Sequence, residues 1–170
     1  MGNVIPLSRL VRIRRSLRRA RKTVVFTNGT FDILHRGHVE YLATARALGD
    51  VLIVGLNTDA SIRRIKGNGR PINRGADRAA VLAALSAVNY VCMFGENTPD
   101  RIIKRLLPDV LVKGADWNRS DIVGADVVKS HGGVVRTIRL TPGRSTTSVI
   151  GRILKVYRRR PHRARRQVAS

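Results

Sequence analysis

The chain has 170 residues, one cysteine and a formal net charge of +22. A chain of this length suits one domain with short tails and buries roughly 70% of its unfolded surface, so it needs no disulfide or structural metal to fold. The lone Cys92 excludes an internal disulfide scaffold and indicates a reducing compartment. The sequence shows neither an apolar run of membrane-span length nor the apolar centre of a secretory signal, so we expect a soluble, cytoplasmic protein.

The positive charge is concentrated at the two ends of the chain. Residues 1–22 carry eight Lys or Arg, residues 155–170 carry seven, and neither segment has an acidic residue. We therefore predict a basic N-terminal helix or arm over 1–22, a globular domain over 23–154, and a basic, disordered tail over 155–170. We expect the arginines of both ends to be solvated and to attract polyanions nonspecifically, with an affinity that falls as salt rises.

Short apolar runs alternate with helical patterns along the central segment. The runs cover 23–28, 51–57, 89–94, 109–113 and 134–138, and near-continuous runs of this kind are typical of strands buried on both faces of a parallel sheet. Helical periodicity covers 37–48 and 76–88, and further helices begin near Thr98 and at Ser145. The alternation predicts an α/β, Rossmann-like, doubly wound sheet of about five parallel strands, with helices on both faces and a ligand site beyond the carboxyl ends of the strands.

The segment 27–38, TNGTFDILHRGH, lies where the first of these strands gives way to the first long helix. Gly29 allows the backbone to approach a ligand closely, and Gly37 opens a helix whose N-terminal amides attract anions. His35 and His38 are three residues apart, so both imidazoles face one side of the first turn. Imidazole beside a helix N-terminus, protonated or as a neutral donor, suits the stabilisation of charge on a transferring phosphoryl group.

Two other interpretations of the histidine pair are weaker. A lone histidine is usually an ordinary polar residue, but two histidines around a glycine, directly after a strand and a GTFD turn, rarely occur together by chance. A zinc site needs a third and a fourth ligand. The remaining histidines, His131 and His162, are remote in sequence, and there is no cysteine cluster. A phosphate site is therefore the preferred interpretation.

The segment GTFDILHRGH resembles the GxFD…HxGH signature of the cytidylyltransferase-like nucleotidyltransferases. Further matching motifs follow in order over 23–154: NTD at 57–59, KGNGRPIN at 66–73, DR at 77–78, VKGAD at 112–116 and STT at 145–147. Within this superfamily, the KGNGRPIN loop, the DR…VLAAL helix and the DVLVKGAD turn resemble D-glycero-β-D-manno-heptose 1-phosphate adenylyltransferase. That enzyme makes ADP-heptose for the inner core of lipopolysaccharide. Because no sugar-kinase segment accompanies the motifs, the chain is expected to be similar to the stand-alone form.

A second family member, glycerol-3-phosphate cytidylyltransferase, is the alternative, with CTP as its nucleotide. That enzyme carries RTEGISTT before its last helix, whereas this chain reads LTPGRSTT over 140–147. The arginine of that family falls on Leu140, so one expected phosphate ligand is absent. Arg144 is the nearest substitute, although we expect it on a different side of the turn.

The resemblance implies roles for individual residues, several of which have a structural alternative. It implies that His35, His38 and Lys66 are catalytic and supply positive charge or hydrogen-bond donors to the phosphates. The nucleotide-binding residues it implies are Asn28, Gly29, Thr30, Phe31, Gly37, Lys113, Gly114, Asp116, Ser145, Thr146 and Thr147. It implies that Asp32, Arg70 and Arg78 bind the acceptor or its phosphate. From the residues alone, Asp32 could instead cap a local turn, Arg78 could pair with a carboxylate, and Lys66 could be a solvated surface lysine.

The resemblance implies the transfer of AMP from ATP to a sugar phosphate, with release of pyrophosphate. This reaction needs no nucleophile from the protein, because the acceptor phosphate is already ionised at neutral pH. ATP and a sugar phosphate are the expected substrates. Mg²⁺ is expected with the ATP and held mostly by the nucleotide, since Asp32 is the only obvious carboxylate nearby and no metal site is predicted from the protein itself. A homo-oligomer, in the simplest case a dimer, is also expected.

A function of a different class, nucleic-acid binding through the arginine-rich ends, is the remaining alternative. These ends lack the interleaved aromatic residues of single-strand binders, and aromatics make up only 4% of the chain. The sequence therefore favours an enzyme with basic ends.

Overall fold

The computed structural model describes residues 1–115 and 122–158, which form a parallel sheet flanked by helices. The strands within this part of the chain are β1 (Asn3–Val4), β2 (Val24–Gly29), β3 (Val51–Asn57), β4 (Tyr90–Phe94), β5 (Val110–Gly114) and β6 (Val134–Ile138). The helices there are α1 (Leu7–Arg19), α2 (Arg36–Arg46), α3 (Asp59–Lys66), α4 (Gly75–Ala84), α5 (Asp100–Leu106), α6 (Ala125–Ser130) and α7 (Thr146–Arg158). The predicted α/β, doubly wound architecture is confirmed, with six strands in place of about five.

The order of the strands locates the ligand site. All pairs are parallel, and the order across the sheet is β1-β4-β3-β2-β5-β6. From β2 the chain moves outward through β3 to β4, then returns past β2 to form β5 and β6 on the other side. The direction of winding therefore reverses between β2 and β5, and a crevice opens beyond the carboxyl ends of these two strands.

The core lies on both faces of the sheet, because successive side chains of a strand point to opposite faces. Val25 of β2 packs with Leu42 of α2 and Leu82 of α4 on one face. Its neighbour Phe26 packs with Leu10 of α1 and with residues of α5 and α6 on the other. Burial on both faces explains why these strands are continuous apolar runs in the sequence and not alternating ones.

The N-terminal segment, predicted to be a basic helix or arm outside the domain, does contain a helix, α1, but it is part of the sheet and the core. β1 pairs with β4, and α1 buries Leu10 completely. Arg14 of α1 is also buried; its Nε and Nη2 donate to the carbonyls of Leu106 at 3.1 Å and Leu107 at 2.9 Å, and Nη2 lies 2.7 Å from the carboxylate of Asp109. The last carbonyls of a helix need donors from outside the helix, and Arg14 supplies them for α5. The expectation that all the terminal arginines are solvated is therefore wrong for Arg14.

The C-terminal helix also departs from the prediction. Helix α7 continues to Arg158, so the predicted boundary at 155 falls inside it; the rest of the predicted tail, 159–170, lies outside the described residues. No residue of α7 is fully buried, and Leu154 and Tyr157 are 49% and 69% exposed. Among the described helices, none combines the length and the apolar content that crossing a membrane requires.

Candidate active site

A cavity of about 500 Å³ opens at the carboxyl edge of the sheet, beyond β2, β3 and β5. The ends of these strands form its floor, and the first turn of α2 and the N-terminus of α7 form its sides. The sequence-predicted site residues that line it are Asn28, Gly29, Thr30, Phe31, His35, Gly37, His38, Lys66, Arg70, Lys113, Gly114, Ser145, Thr146 and Thr147. The position agrees with the crevice that the winding of the sheet predicts.

The two histidines form a stacked pair at the start of α2. His35 is the N-cap residue, and its ring lies 3.8 Å from the ring of His38, centroid to centroid, with 20° between the planes. Phe31 also contacts His38, at a centroid distance of 5.1 Å and with the two ring planes tilted by 58°. The Nδ1 atoms of both histidines are buried and have no hydrogen-bond partner within the described part of the chain. Buried polar atoms without a hydrogen-bond partner are rare in the interior of a folded protein, and here they indicate a ligand site.

The histidine pair is neutral in the ligand-free protein. Burial lowers the pKa of His38 to about 4, and His35, when protonated, and the charge of Lys66 act in the same direction. Burial and, secondarily, Arg144 lower the pKa of His35. Of the two forms that the sequence leaves open, protonated or neutral donor, the structure therefore favours the neutral donor before substrate binds.

We expect the ring-proton NMR resonances of His38 to titrate near pH 4 in the ligand-free protein, not near 6.5. Because the unfolded chain takes up this proton at about pH 6.5, the contribution of His38 to stability is present above that pH and is lost as pH falls towards 4. Triphosphate binding should raise this pKa, since negative charge favours imidazolium. A titration at the ordinary value without ligand would contradict the buried placement of His38.

Two local backbone features place the histidine pair. Phe31 has a positive φ of 40°, which is unfavourable for a residue with a large side chain; this conformation puts its buried ring beneath His38. Gly37 is in close contact with the loop before α7: an added Cβ would lie 3.1 Å from Cβ of Arg144 and 3.2 Å from the ring of His35. A side chain at this position would therefore press on both neighbours, and glycine lets the first turn of α2 and that loop meet without a shift.

On the floor of the crevice, the ends of β2 and β5 are bridged by side chains. Lys113 Nζ donates to Asn28 Oδ1, with the Lys113 side chain largely buried. Gly114 follows at the end of β5 and also lines the cavity. This pair holds the two strand ends together where the winding of the sheet reverses.

The N-terminus of α7 is a second group of free amides facing the cavity. Ser145 Oγ accepts from the amide of Ser148 at 3.0 Å, which caps the helix. The STT segment thus caps a helix and lines the cavity at once. Two helix N-termini, those of α2 and α7, meet at one cavity, and both favour a bound anion.

Lys66 and Arg70 supply cations from the loop that follows α3. Lys66 ends α3 at the cavity mouth, 3.5 Å from Thr30 Oγ1. Surrounding protein lowers the pKa of Lys66 by desolvation, and Arg70 adds to this effect. Arg70 lines the cavity, but its Nε is bound to Asp32 at 2.6 Å.

Asp32, predicted to bind the acceptor or its phosphate, does not line the cavity in this structure. It is buried, and both carboxylate oxygens accept hydrogen bonds from the 70–73 loop: the amides of Ile72 at 2.8 Å and Asn73 at 2.9 Å, and Arg70. Burial raises the pKa of Asp32, but the donors from Asn73, Ile72 and Arg70 outweigh it and lower the pKa overall. The side chain therefore fixes this loop, which is close to the local-turn alternative.

Arg78, also predicted to bind the acceptor phosphate, lies behind the cavity and not in its wall. Its side chain is fully buried and donates to the carbonyls of Thr30 at 2.6 Å, Asn57 at 2.9 Å and Asn73 at 3.1 Å, and to Asp59 at 2.7 Å. A guanidinium has five N–H donors in a planar fork, and four contacts leave little for a ligand. The carboxylate-pairing alternative therefore describes Arg78 better.

The remaining prediction, Asp116, lies outside the described residues. The cavity wall also contains residues that the sequence did not identify as ligands, among them Tyr41, Asn57, Asn97 and Thr98. Asn57 ends β3, and Asn97 and Thr98 follow β4, so the rule that ligands bind at carboxyl ends of strands was sufficient to find them. Tyr41 is three residues after His38 on the same helix face.

A comparison with protein families identifies the family to which this chain belongs. The family model described as cytidylyltransferase-like matches residues 26–154, which include most of β2, both histidines and the start of α7. The chain belongs to the cytidylyltransferase-like family. This is a family of nucleotidyltransferases. The resemblance noted in the sequence is therefore confirmed.

Curated members of the cytidylyltransferase-like family are similar over most of this chain. The bifunctional protein HldE of Syntrophotalea carbinolica is 54% identical over 154 residues, covering 86% of this chain and 31% of the relative. The bifunctional protein HldE of Campylobacter curvus is 56% identical over 135 residues, covering 79% of this chain and 28% of the relative. The chain thus spans less than a third of the length of these relatives.

Two solved structures share the fold. The lipopolysaccharide core biosynthesis protein from Thermoplasma volcanium has a TM-score of 0.58 at 28% identity, covering 71% of this chain and 97% of that one. Pantoate-beta-alanine ligase from Francisella tularensis, in complex with a β,γ-ATP ligand and β-alanine, has a TM-score of 0.59, covering 94% of this chain and 80% of that one. At 13% identity, the second likeness concerns the fold alone.

Proposed function

We propose that this chain is an adenylyltransferase that transfers AMP from ATP to D-glycero-β-D-manno-heptose 1-phosphate, with release of pyrophosphate. The product, ADP-heptose, would serve the lipopolysaccharide inner core. The observation that carries the proposal is the meeting of two helix N-termini and the stacked pair His35–His38 at one cavity. The similarity to HldE proteins and to a lipopolysaccharide core biosynthesis protein supports the choice of acceptor.

The proposed chemistry is a direct in-line displacement. An oxygen of the acceptor phosphate forms a bond to the α-phosphorus of ATP, while the bond from that phosphorus to the oxygen bridging to the β-phosphate breaks. The bonding electrons leave with pyrophosphate. The acceptor oxygen is already ionised, so no base is needed, and catalysis rests on positioning and on the stabilisation of charge.

The residues of the cavity are suited to position the substrates and to stabilise the charge that develops. The neutral imidazoles of His35 and His38 are suited to donate to oxygens of the transferred phosphate, where charge builds up. The free amides of α2 and α7 favour the triphosphate through the helix dipoles. Lys66, at the cavity mouth, can reach phosphates by a change of rotamer.

Mg²⁺ enters this proposal as part of the substrate, Mg·ATP. Within the described residues, no group of three His, Cys, Asp or Glu could hold a metal ion. The carboxylate predicted nearby, Asp32, has both oxygens engaged by the 70–73 loop. The described residues therefore offer no protein cage for the ion, and the nucleotide phosphates are its natural ligands.

The proposal is tested by a pyrophosphate-release assay that crosses ATP and CTP with heptose 1-phosphate and glycerol 3-phosphate. We expect ATP with heptose 1-phosphate to be the best pair, by roughly a hundredfold over CTP. A site built to hydrogen-bond one base leaves buried polar groups unpaired with another. Gly114 leaves room for a purine at the cavity wall, although the amide of Ala115 is engaged by Ile138 at 2.9 Å and cannot read the base.

The outcomes of this assay separate the acceptor from the reaction class. If CTP releases pyrophosphate faster than ATP with both acceptors, the heptose assignment is overturned and the cytidylyltransferase alternative is favoured. No release with any of the four pairs would overturn nucleotidyl transfer to these acceptors altogether.

The variant Lys66→Ala should raise the KM for ATP by about tenfold and leave the KM for the acceptor nearly unchanged. The reason is the loss of a charge-assisted contact to phosphate, which is worth roughly 1.5 kcal/mol. Arg63→Ala, an exposed change on the same helix outside the cavity, is the matched control. Equal losses for both substrates would place Lys66 elsewhere in the reaction.

The homodimer and the cytoplasmic location stay predictions. The exposed apolar side chains of α7, such as Leu154 and Tyr157, are the surface to test for contact with a second copy. Sedimentation of variants at these positions measures whether they change the oligomeric state.

A further inference from the structure

Arg144 is a cation of the cavity to which the proposed reaction gives no part. Arg144 lies in the turn before α7 and lines the cavity. Leu140, four residues earlier, also lines the cavity and carries no charge.

Of the other cations of the cavity, Arg70 and Lys113 are already engaged by the protein, and Lys66 has its own place in the proposed reaction. Arg70 is bound to Asp32 at 2.6 Å, Lys113 donates to Asn28, and Lys66 lies 3.5 Å from a hydroxyl. Within residues 1–115 and 122–158, the guanidinium of Arg144 makes neither an ion pair nor a hydrogen bond. The charge of Arg144 does reach Glu40, and helps to lower the pKa of that carboxyl, but Glu40 is occupied by Arg36 and by Thr141, each at 2.5 Å.

Packing places the Cβ of Arg144 close to both helix N-termini, while the residue as a whole is exposed to solvent. Its Cβ would lie 3.1 Å from a Cβ at Gly37, in the first turn of α2. It directly precedes Ser145, the cap of α7. The charge of Arg144 also lowers the pKa of His35, as expected for a cation close to that ring. Arg144 therefore stands between the two groups of free amides, next to the histidine pair.

We infer that Arg144 binds the β- and γ-phosphates of the nucleotide and stabilises the pyrophosphate as it leaves. This inference rests on the proposed function and assigns a residue to its leaving group. The turn before α7 is adjacent to the amides that favour the most highly charged part of the ligand. A guanidinium suits that place, because its fork can donate two parallel hydrogen bonds to one phosphate.

The inference separates the phosphates from the rest of the nucleotide. Arg144 should matter for ligands that carry the β- and γ-phosphates and should be indifferent to AMP, which lacks them. It should also be indifferent to the acceptor, because its contacts are with the leaving group. Because pyrophosphate gains charge as it departs, kcat should fall together with the affinity for ATP.

The test compares Arg144→Ala, Arg144→Lys and the control Arg139→Ala in the full chain. Arg139 is an exposed arginine five residues earlier, outside the cavity wall. Calorimetry gives the Kd of Mg·ATP, AMP and pyrophosphate, and the pyrophosphate-release assay gives kcat and both KM values. For Arg144→Ala we expect the Kd of ATP and pyrophosphate to rise on the order of ten- to a hundredfold, with that of AMP within about twofold of wild type. Arg144→Lys should lie between, because it keeps the charge and loses the fork.

Several results would overturn the inference. Equal weakening of AMP and ATP would place Arg144 at the base, the sugar or the α-phosphate. A rise confined to the KM of the acceptor would place it at the other substrate. If the wild type turns over and Arg144→Ala behaves like Arg139→Ala, the inference alone fails. If the wild type binds neither ATP nor pyrophosphate, the proposed function fails with it.

Discussion

Replacing His38 by Ala should lower kcat by about 10² to 10³-fold, equivalent to about 2.7–4 kcal/mol of barrier, the cost of losing one preorganised donor to a developing charge. His38 is the more buried member of the stacked pair, and burial keeps it neutral, with a pKa of about 4. A donor already oriented by Phe31 and His35 needs no reorganisation when charge develops on the transferred phosphate. The measurement is kcat in the pyrophosphate-release assay at saturating substrate.

The control for this change is His131→Ala. His131 is an exposed histidine at the end of α6, bound through Nδ1 to the carbonyl of Val127 at 2.8 Å and outside the cavity wall. It should leave kcat unchanged. Thermal unfolding of His38→Ala should show a small loss, because the ring packs on two neighbours without belonging to the apolar core. Turnover near the wild-type value would remove the histidine pair from the mechanism.

The parts of this protein that could be predicted from sequence are those whose signal is local. Strands buried on both faces are continuous apolar runs, so β2 to β6 are visible as segments such as VLIVGLN. The position of the site follows from topology, since ligands of doubly wound sheets bind where the winding reverses. The motif GTFDILHRGH falls at that edge, and the structure places its two histidines in the cavity wall.

The parts that could not be predicted depend on distant partners. β1 has two residues and no apolar run, and only its pairing with β4 makes it a strand. Arg14 is one of many arginines in a basic segment, and its burial is decided by carbonyl groups more than ninety residues away, at Leu106 and Leu107. Composition therefore suggested a solvated helix or arm, whereas the structure has an edge strand and a helix packed into the core.

Two site predictions differ for a related reason. Asp32 and Arg78 are charged, lie within the matching motifs and are close to the cavity, so the resemblance implied that they touch a ligand. The partners that occupy them come from elsewhere in the chain: the 70–73 loop for Asp32, and the carbonyls of Thr30 and Asn57 for Arg78. A motif shows that a charge is needed near the site, whereas only the hydrogen bonds show whether the charge faces the ligand or holds the wall.

The placement of Arg78 behind the wall predicts a large effect on stability. Replacing it by Ala should lower the free energy of unfolding by about 3 kcal/mol, which shifts Tm by roughly 6–12 °C in a domain of this size. The carbonyls of Thr30, Asn57 and Asn73 would each lose a donor in a buried position, and Asp59 would lose its ion pair. The value is at the low end for a broken buried pair, because Asp59 is 31% exposed and can be hydrated.

Arg101→Ala provides the comparison, since Arg101 is 69% exposed and its pair with Glu96 lies at the surface. Such pairs contribute about 0–1 kcal/mol, so this variant should unfold close to wild type. Arg78→Lys should be intermediate, because a lysine keeps the charge and reaches fewer of the carbonyls. Denaturant unfolding of the three variants, with kcat measured well below their Tm, separates the two roles of Arg78. If Arg78→Ala is as stable as Arg101→Ala yet loses turnover, Arg78 binds phosphate after all, as the sequence resemblance implied; if it loses stability first, it holds three strand and loop ends in register around the cavity.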